Sequence, residues 1–169
     1  MKIIRPYHHN PATKVESWEE IKDQALELRD FIKNTKFEGY YERVYALSHA
    51  YVSKEPKDFF VVNENIPHET EDGKKGRSDF LVKGFGHWCI INPKIIKEDV
   101  PAPFSDGCLF FSYRKPKKLE RFYYIEVEYY IPFWFGKLRK KVAKLEGIPA
   151  FIVQHEIEHS LGKDAYGTK

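Results

Sequence analysis

Hydrophobic residues recur along this chain with two periods, and the change from one to the other divides it. Trp18, Ile21, Ala25, Leu28 and Ile32 fall on one face of a 3.6-residue helix, with charged residues between them. Ser17-Trp18-Glu19-Glu20 has the form of a capping box, so the spacing predicts an amphipathic helix over residues 17–35 whose role is packing. Further on the period shortens to two. Tyr123, Ile125, Val127, Tyr129 and Ile131 alternate with Tyr124, Glu126, Glu128 and Tyr130, which predicts a long antiparallel strand with one face in the core. Short apolar runs at Phe59–Val62, Phe80–Val82 and Trp88–Ile91 are bounded by Gly, Pro, Asn and Asp and predict strands joined by turns. Val44–Val52 reads as extended backbone. Glu69–Gly76 reads as a solvated loop, and Asn92-Pro93 with Pro101 and Pro103 marks a second loop that delivers the chain to Cys108.

Toward the C-terminus the pattern loses its polar face. Ile148–Val153 is apolar almost throughout and leads into Gln154-His155-Glu156-Ile157-Glu158-His159. Just before it, Trp134, Leu138, Val142 and Leu145 recur at helical spacing in a segment, Phe133–Leu145, that could equally return as a strand.

Composition narrows the class. At 169 residues and 20.0 kDa the chain suffices for one core, and a single domain is expected. Aromatics at 16% and hydrophobics at 42% indicate a folded globule, the mean hydropathy of -0.57 reflecting the 31% of charged residues. The net charge of +3 is a mild excess that could favour an anionic surface such as ribosomal RNA, but it is no basic binding stripe. No segment has the length or apolarity of a membrane span or leader, so a cytoplasmic monomer is expected. Two cysteines make no disulfide framework. No glycine-rich phosphate loop supports nucleotide chemistry.

The candidate chemistry lies in the C-terminal run. His155 and His159, four apart on a helix, share a face and can grip one divalent metal. Glu156 then stands close enough to move protons without being a ligand. After His159 there is no histidine, glutamate or cysteine, and Ala165 stands where the metzincin pattern wants its third ligand. The third ligand must come from upstream. Cys108, in Ser105-Asp106-Gly107-Cys108-Leu109, is the best candidate, and two imidazoles with one thiolate leave the open fourth position of a catalytic site for water. The plainer alternative for Cys108 is a small buried hydrophobe.

These residues resemble those of peptide deformylases, whose motifs read Gly-Leu-Ala/Ser-Ala-x-Gln, Glu-Gly-Cys-Leu-Ser and Gln-His-Glu-x-Asp-His. The third is matched by residues 154–159, with Glu158 for aspartate, and the second by Asp106-Gly107-Cys108-Leu109-Phe110, without the flanking glutamate and serine. Leu119-Glu120-Arg121 resembles the family's arginine-bearing segment. The first motif is set against Ala46–Ser53, which places Tyr51 in the position of the glutamine. The resemblance implies an α+β fold with antiparallel sheets around the C-terminal His-pair helix, and a strand in the ambiguous segment before Gly147. It implies hydrolysis of the N-formyl group from the initiator methionine of nascent polypeptides, with one divalent metal held by Cys108, His155 and His159. Ferrous iron is expected there, and zinc, nickel or cobalt would fit the same ligands. Glu156 becomes general base and acid, with the backbone N–H of Leu109 and the hydroxyl of Tyr51, or else His49, as oxyanion donors. Tyr45, Ala46, Gly107, Phe151 and Ile152 become the substrate pocket. Lys137, Arg139, Lys140, Lys141 and Lys144 are either a solvated face or a weak ribosome contact. Two other readings stand beside this one: a deformylase-like protein that binds metal and N-termini without turnover, and a zinc peptidase.

Overall fold

The computed structural model describes residues 10–36, 44–64, 66–69, 75–78, 80–108 and 115–164. Helix α1 (Trp18–Asn34) forms where the helical spacing places it and buries Ile21, Ala25, Leu28 and Ile32. Its capping box is only half made. The Ser17 side chain caps nothing, whereas the Glu20 carboxylate accepts the Glu16 N–H at 3.0 Å and pairs with Lys57.

Strands β1 (Ala46–Ser48) and β2 (Phe59–Val62) follow, then a ribbon of β3 (Ile66–Glu69) and β4 (Lys75–Ser78), helix α2 (Phe80–Phe85), and strands β5 (Cys89–Asp106), β6 (Lys117–Pro132) and β7 (Leu138–Glu146). Helix α3 (Ile148–Ser160) comes last. The main sheet has the order β1-β2-β5-β6-β7, and each of its pairings is antiparallel. The fold is α+β, as expected.

The sheet has a core layer on each face. Phe59 and Val61 point to the layer under α1, and Phe60 and Val62 to the layer under α3, so β2 is covered on both sides and reads as an unbroken apolar run. The alternation in β6 likewise sends Ile125, Val127 and Tyr129 into the α3 layer.

Four local expectations change. Phe80–Val82 is the start of α2 and not a strand, since three apolar residues cannot distinguish the two periods. What holds this helix is Phe85, packed edge-on against Phe60 and Tyr129, with its carbonyl accepting the Tyr129 hydroxyl at 2.6 Å. The proline-marked loop after Asn92 is continuous strand. Beyond Ile91, β6 is the only strand paired with β5 among the described residues, so Pro101 and Pro103 lie on an edge where a missing N–H can face the open side. Register shifts after Ile91 and Ile95 take up the rest, with Asn92 at φ 48°. The extended segment at Val44–Val52 is strand only at Ala46–Ser48 and then tightens into a 3-10 turn, His49–Tyr51, started by the Ser48 hydroxyl accepting the Ala50 N–H. The loop expected at Glu69–Gly76 has its two ends in β3 and β4; residues 70–74 lie outside the described residues. The ambiguous segment before Gly147 resolves as a turn, Trp134–Gly136, and then β7, whose Ala143 and Leu145 face the core.

Candidate metal centre

Helix α3 starts at Gly147, whose φ of 65° suits a residue without a Cβ, and Pro149 follows in the first turn. Ten of its thirteen residues are buried, including Gln154, His155, Glu156 and His159. Polar groups so placed must be paired, and the pairing fixes the site.

Gln154 ties the helix to the sheet. Its amide donates to Phe122 O at 2.8 Å and accepts from Phe122 N at 2.9 Å, completing the backbone bonding of β6 as a further strand residue would. Arg121, on the inward face of β6, donates through Nε to Asp106 Oδ2 at 2.8 Å and through a terminal nitrogen to Glu158 Oε2 at 2.9 Å. Asp106 then bonds His155 Nδ1 through Oδ1 at 2.8 Å. Burial raises the Asp106 carboxyl, but His155 and Arg121 outweigh it and hold it below its ordinary value. Burial likewise opposes charge on His155, and the bonds to Asp106 and Cys108 outweigh it, so that imidazole is more basic than usual.

His159 Nδ1 donates to the carbonyl of Lys163 at 3.1 Å. Both imidazoles thus have Nδ1 engaged by an acceptor, which turns each Nε2 toward the same point as a potential metal ligand. Those two nitrogens are 3.0 Å apart, and Cys108 Sγ, brought in just past the end of β5, lies 3.6 Å from His159 Nε2. All three donor atoms are buried and within 4.8 Å of one another. This donor set fits a divalent transition metal.

Glu156 is buried one place after His155. Its carboxylate accepts the backbone N–H of Ser48, Oε2 has no partner among the described residues, and burial pushes its pKa up to about 7. A cavity of about 270 Å³ opens beside it, lined by His155, Glu156 and Tyr51 and by the expected pocket residues Tyr45, Ala46, Gly107 and Ile152.

Two expected site residues are placed otherwise. Phe151 stacks on Phe104 at 4.5 Å and meets the edge of Tyr123, one layer behind the cavity wall, where it packs and does not line. His49 stacks on Phe59 at 4.8 Å and its Nδ1 accepts the Lys57 N–H at 2.9 Å. Burial, reinforced by Lys57, lowers its pKa to about 4, and His49 is not among the residues that line the cavity. Leu109 lies outside the described residues.

The motifs contain Gln154, Glu158, Asp106 and Arg121 but do not say what these side chains bond, and Lys163 lies outside them. One signal was available. Arg121 stands in phase with Tyr123, Ile125 and Val127, and a charged residue on a strand's inward face requires a buried partner.

The polypeptide deformylase family model matches residues 5–166. Among solved structures, a peptide deformylase 1B from Arabidopsis thaliana superposes with a TM-score of 0.70 at 21% identity, over 100% of this chain and 81% of that one. The peptide deformylase of Thermotoga maritima gives 0.65 at 21% identity, covering 96% and 90%. A probable peptide deformylase from a Synechococcus phage gives 0.60 at 24%, covering 98% and 96%. No curated protein sequence matches the chain.

Proposed function

The chain belongs to the polypeptide deformylase family, and from that premise we propose that it removes the N-formyl group from the N-terminal methionine of nascent polypeptides, as a single metallohydrolase domain. One observation carries the reading: two imidazoles with both Nδ1 atoms engaged converge with a thiol, and a buried carboxylate oxygen with no partner among the described residues belongs to a residue lining the cavity beside them. Cys108, His155 and His159 hold the metal. Ferrous iron is the family's usual ion, and the donors suit zinc, nickel or cobalt as well. When bound, the ion acts as a Lewis acid that polarises the formyl carbonyl and makes water a nucleophile near neutral pH.

Glu156 carries the proton. Its Oε2 accepts it from the attacking water and returns it to the departing amine, and burial holds the carboxyl in the range where it can do both. Asp106, held by Arg121, fixes the His155 ring in the orientation that presents Nε2. Ile152, Tyr45 and Ala46 provide an apolar wall for the methionine side chain. The backbone N–H of Leu109 steadies the oxyanion.

The test separates metal from proton. Protein purified without oxygen is assayed for bound metal and for formate release from a formyl-methionyl peptide. Glu156→Ala should retain the metal and lose activity by about 10²-fold or more. Cys108→Ser should lose metal and activity together while remaining folded. A Cys108→Ser protein with full metal occupancy would refute the ligand assignment, and a metal-free Glu156→Ala would make Glu156 a ligand and the mechanism wrong.

A second reading, a member that binds metal and N-termini without turning them over, is favoured by one feature only, the position of the Tyr51 hydroxyl.

A further inference from the structure

We infer that the Tyr51 hydroxyl oxygen is itself a ligand of the metal, the fourth of a Cys-His-His-Tyr set, and closes in the resting protein the corner that a catalytic site leaves to water. The inference rests on the reading of Cys108, His155 and His159 as metal ligands and goes beyond the oxyanion role expected of Tyr51.

Five of the six donor–donor distances are those of a four-coordinate site. Tyr51 Oη lies 3.0 Å from His159 Nε2, 3.3 Å from His155 Nε2 and 3.5 Å from Cys108 Sγ. The two Nε2 atoms are 3.0 Å apart, Cys108 Sγ is 3.6 Å from His159 Nε2, and the remaining pair is within 4.8 Å. A four-coordinate ion with bonds of about 2.0–2.3 Å sets donor–donor edges of about 3.3–3.6 Å. The five measured edges agree with that to within a few tenths of an ångström, which places Tyr51 Oη at the same spacing from the other donors as they have from each other.

An oxyanion donor would stand elsewhere. It must lie about 2.7–3.1 Å from an oxygen that itself fills the fourth corner, one bond further out than the ligand atoms. Tyr51 Oη is level with the other three donors and occupies that corner. The backbone explains how a side chain as long as tyrosine gets there. Residues 49–51 are wound into a 3-10 turn capped by Ser48, and the ring is buried with its face set 4.8 Å from His159, edge to face. A strand continued from β1 would carry it otherwise. With a metal bound, Tyr51 Oη would hold the fourth position, and a site able to expand to five-coordinate would still admit substrate beside it.

Zinc, which has no visible absorption of its own, makes the test clean. Wild-type and Tyr51→Phe proteins, stripped and then titrated with zinc against a competing chelator, are followed for affinity and for the ultraviolet difference band of an ionised tyrosine. The inference expects one zinc per chain with the tyrosinate band in the wild type, and binding about tenfold or more weaker, without the band, in Tyr51→Phe. Equal affinities with no band in the wild type would overturn it and leave the three-ligand site standing. A wild type that binds no zinc would defeat the three-ligand reading first and this inference with it. Because the band is read in the wild type, the outcome is decided even if Tyr51→Phe folds poorly.

Discussion

Helices α1 and α3 lie against opposite faces of one sheet and are built on opposite plans. Of the seventeen residues of α1 only four are buried, all apolar, and its charges face water or pair near the surface, as Arg29 does with Glu64 at 2.7 and 2.9 Å. In α3 ten of thirteen are buried and five of those are polar or charged. Burying apolar residues needs only shape. Burying Gln154, His155 and Glu156 needs a partner for each, and those partners, in β1, β5 and β6, locate the donor atoms. One helix therefore stabilises the sheet, and the other uses it as a jig.

The largest break in that comparison is expected at Arg121. Arg121→Met leaves Asp106 and Glu158 buried or half-buried without their cation, which should cost about 3–5 kcal/mol in denaturant unfolding. It should also weaken metal binding by about 10–100-fold, because Asp106 no longer fixes His155. On the α1 side, Leu28→Ala should cost about 2–5 kcal/mol for the cavity it leaves, with metal affinity unchanged in the folded protein. A metal affinity that fell along with stability would show the two faces to be coupled.

A smaller, pH-dependent effect belongs to His49, which packs on Phe59 in the α1 layer. Its pKa is lowered to about 4 in the folded protein from 6.5, so the unfolded chain takes up the proton first. The stability it contributes is whole above pH 6.5 and is lost as pH falls toward 4, by up to about 3 kcal/mol. The difference in unfolding free energy between wild type and His49→Gln should shrink over that window; a constant difference would mean the ring is solvated. Least of all, Lys22→Ala on the exposed face of α1 should change stability by no more than about 0.5 kcal/mol.

The same contrast explains what could be read from the chain. Helix α1 and β6 announce themselves because each has a wet side, and period is visible only where polar and apolar residues alternate. In β2 and α3 both sides are covered, and there a bounded apolar run for β2 and the motif residues for α3, not the period, carried the prediction. His155, His159, Glu156 and Cys108 come together as that motif implied. What was not legible is what holds them. Asp106 looked like the loss of a flanking glutamate, yet it bonds both His155 and Arg121. Phe151 looked like pocket because the resemblance sets it at a pocket position one turn before His155, whereas its ring stacks on Phe104. Pro101 and Pro103 pointed to a loop because an edge strand cannot be told from a break until its neighbours are known.

The central claim is that three donors and one carboxylate make this a deformylase, and formate release from a formyl-methionyl peptide tests it most directly. Ferrous protein prepared without oxygen should release formate, chelation should abolish the activity, and restoring one ion per chain should return it. Stoichiometric metal with no formate released at any peptide concentration would contradict the account and leave a metal-binding member of the family that does not turn over its substrate.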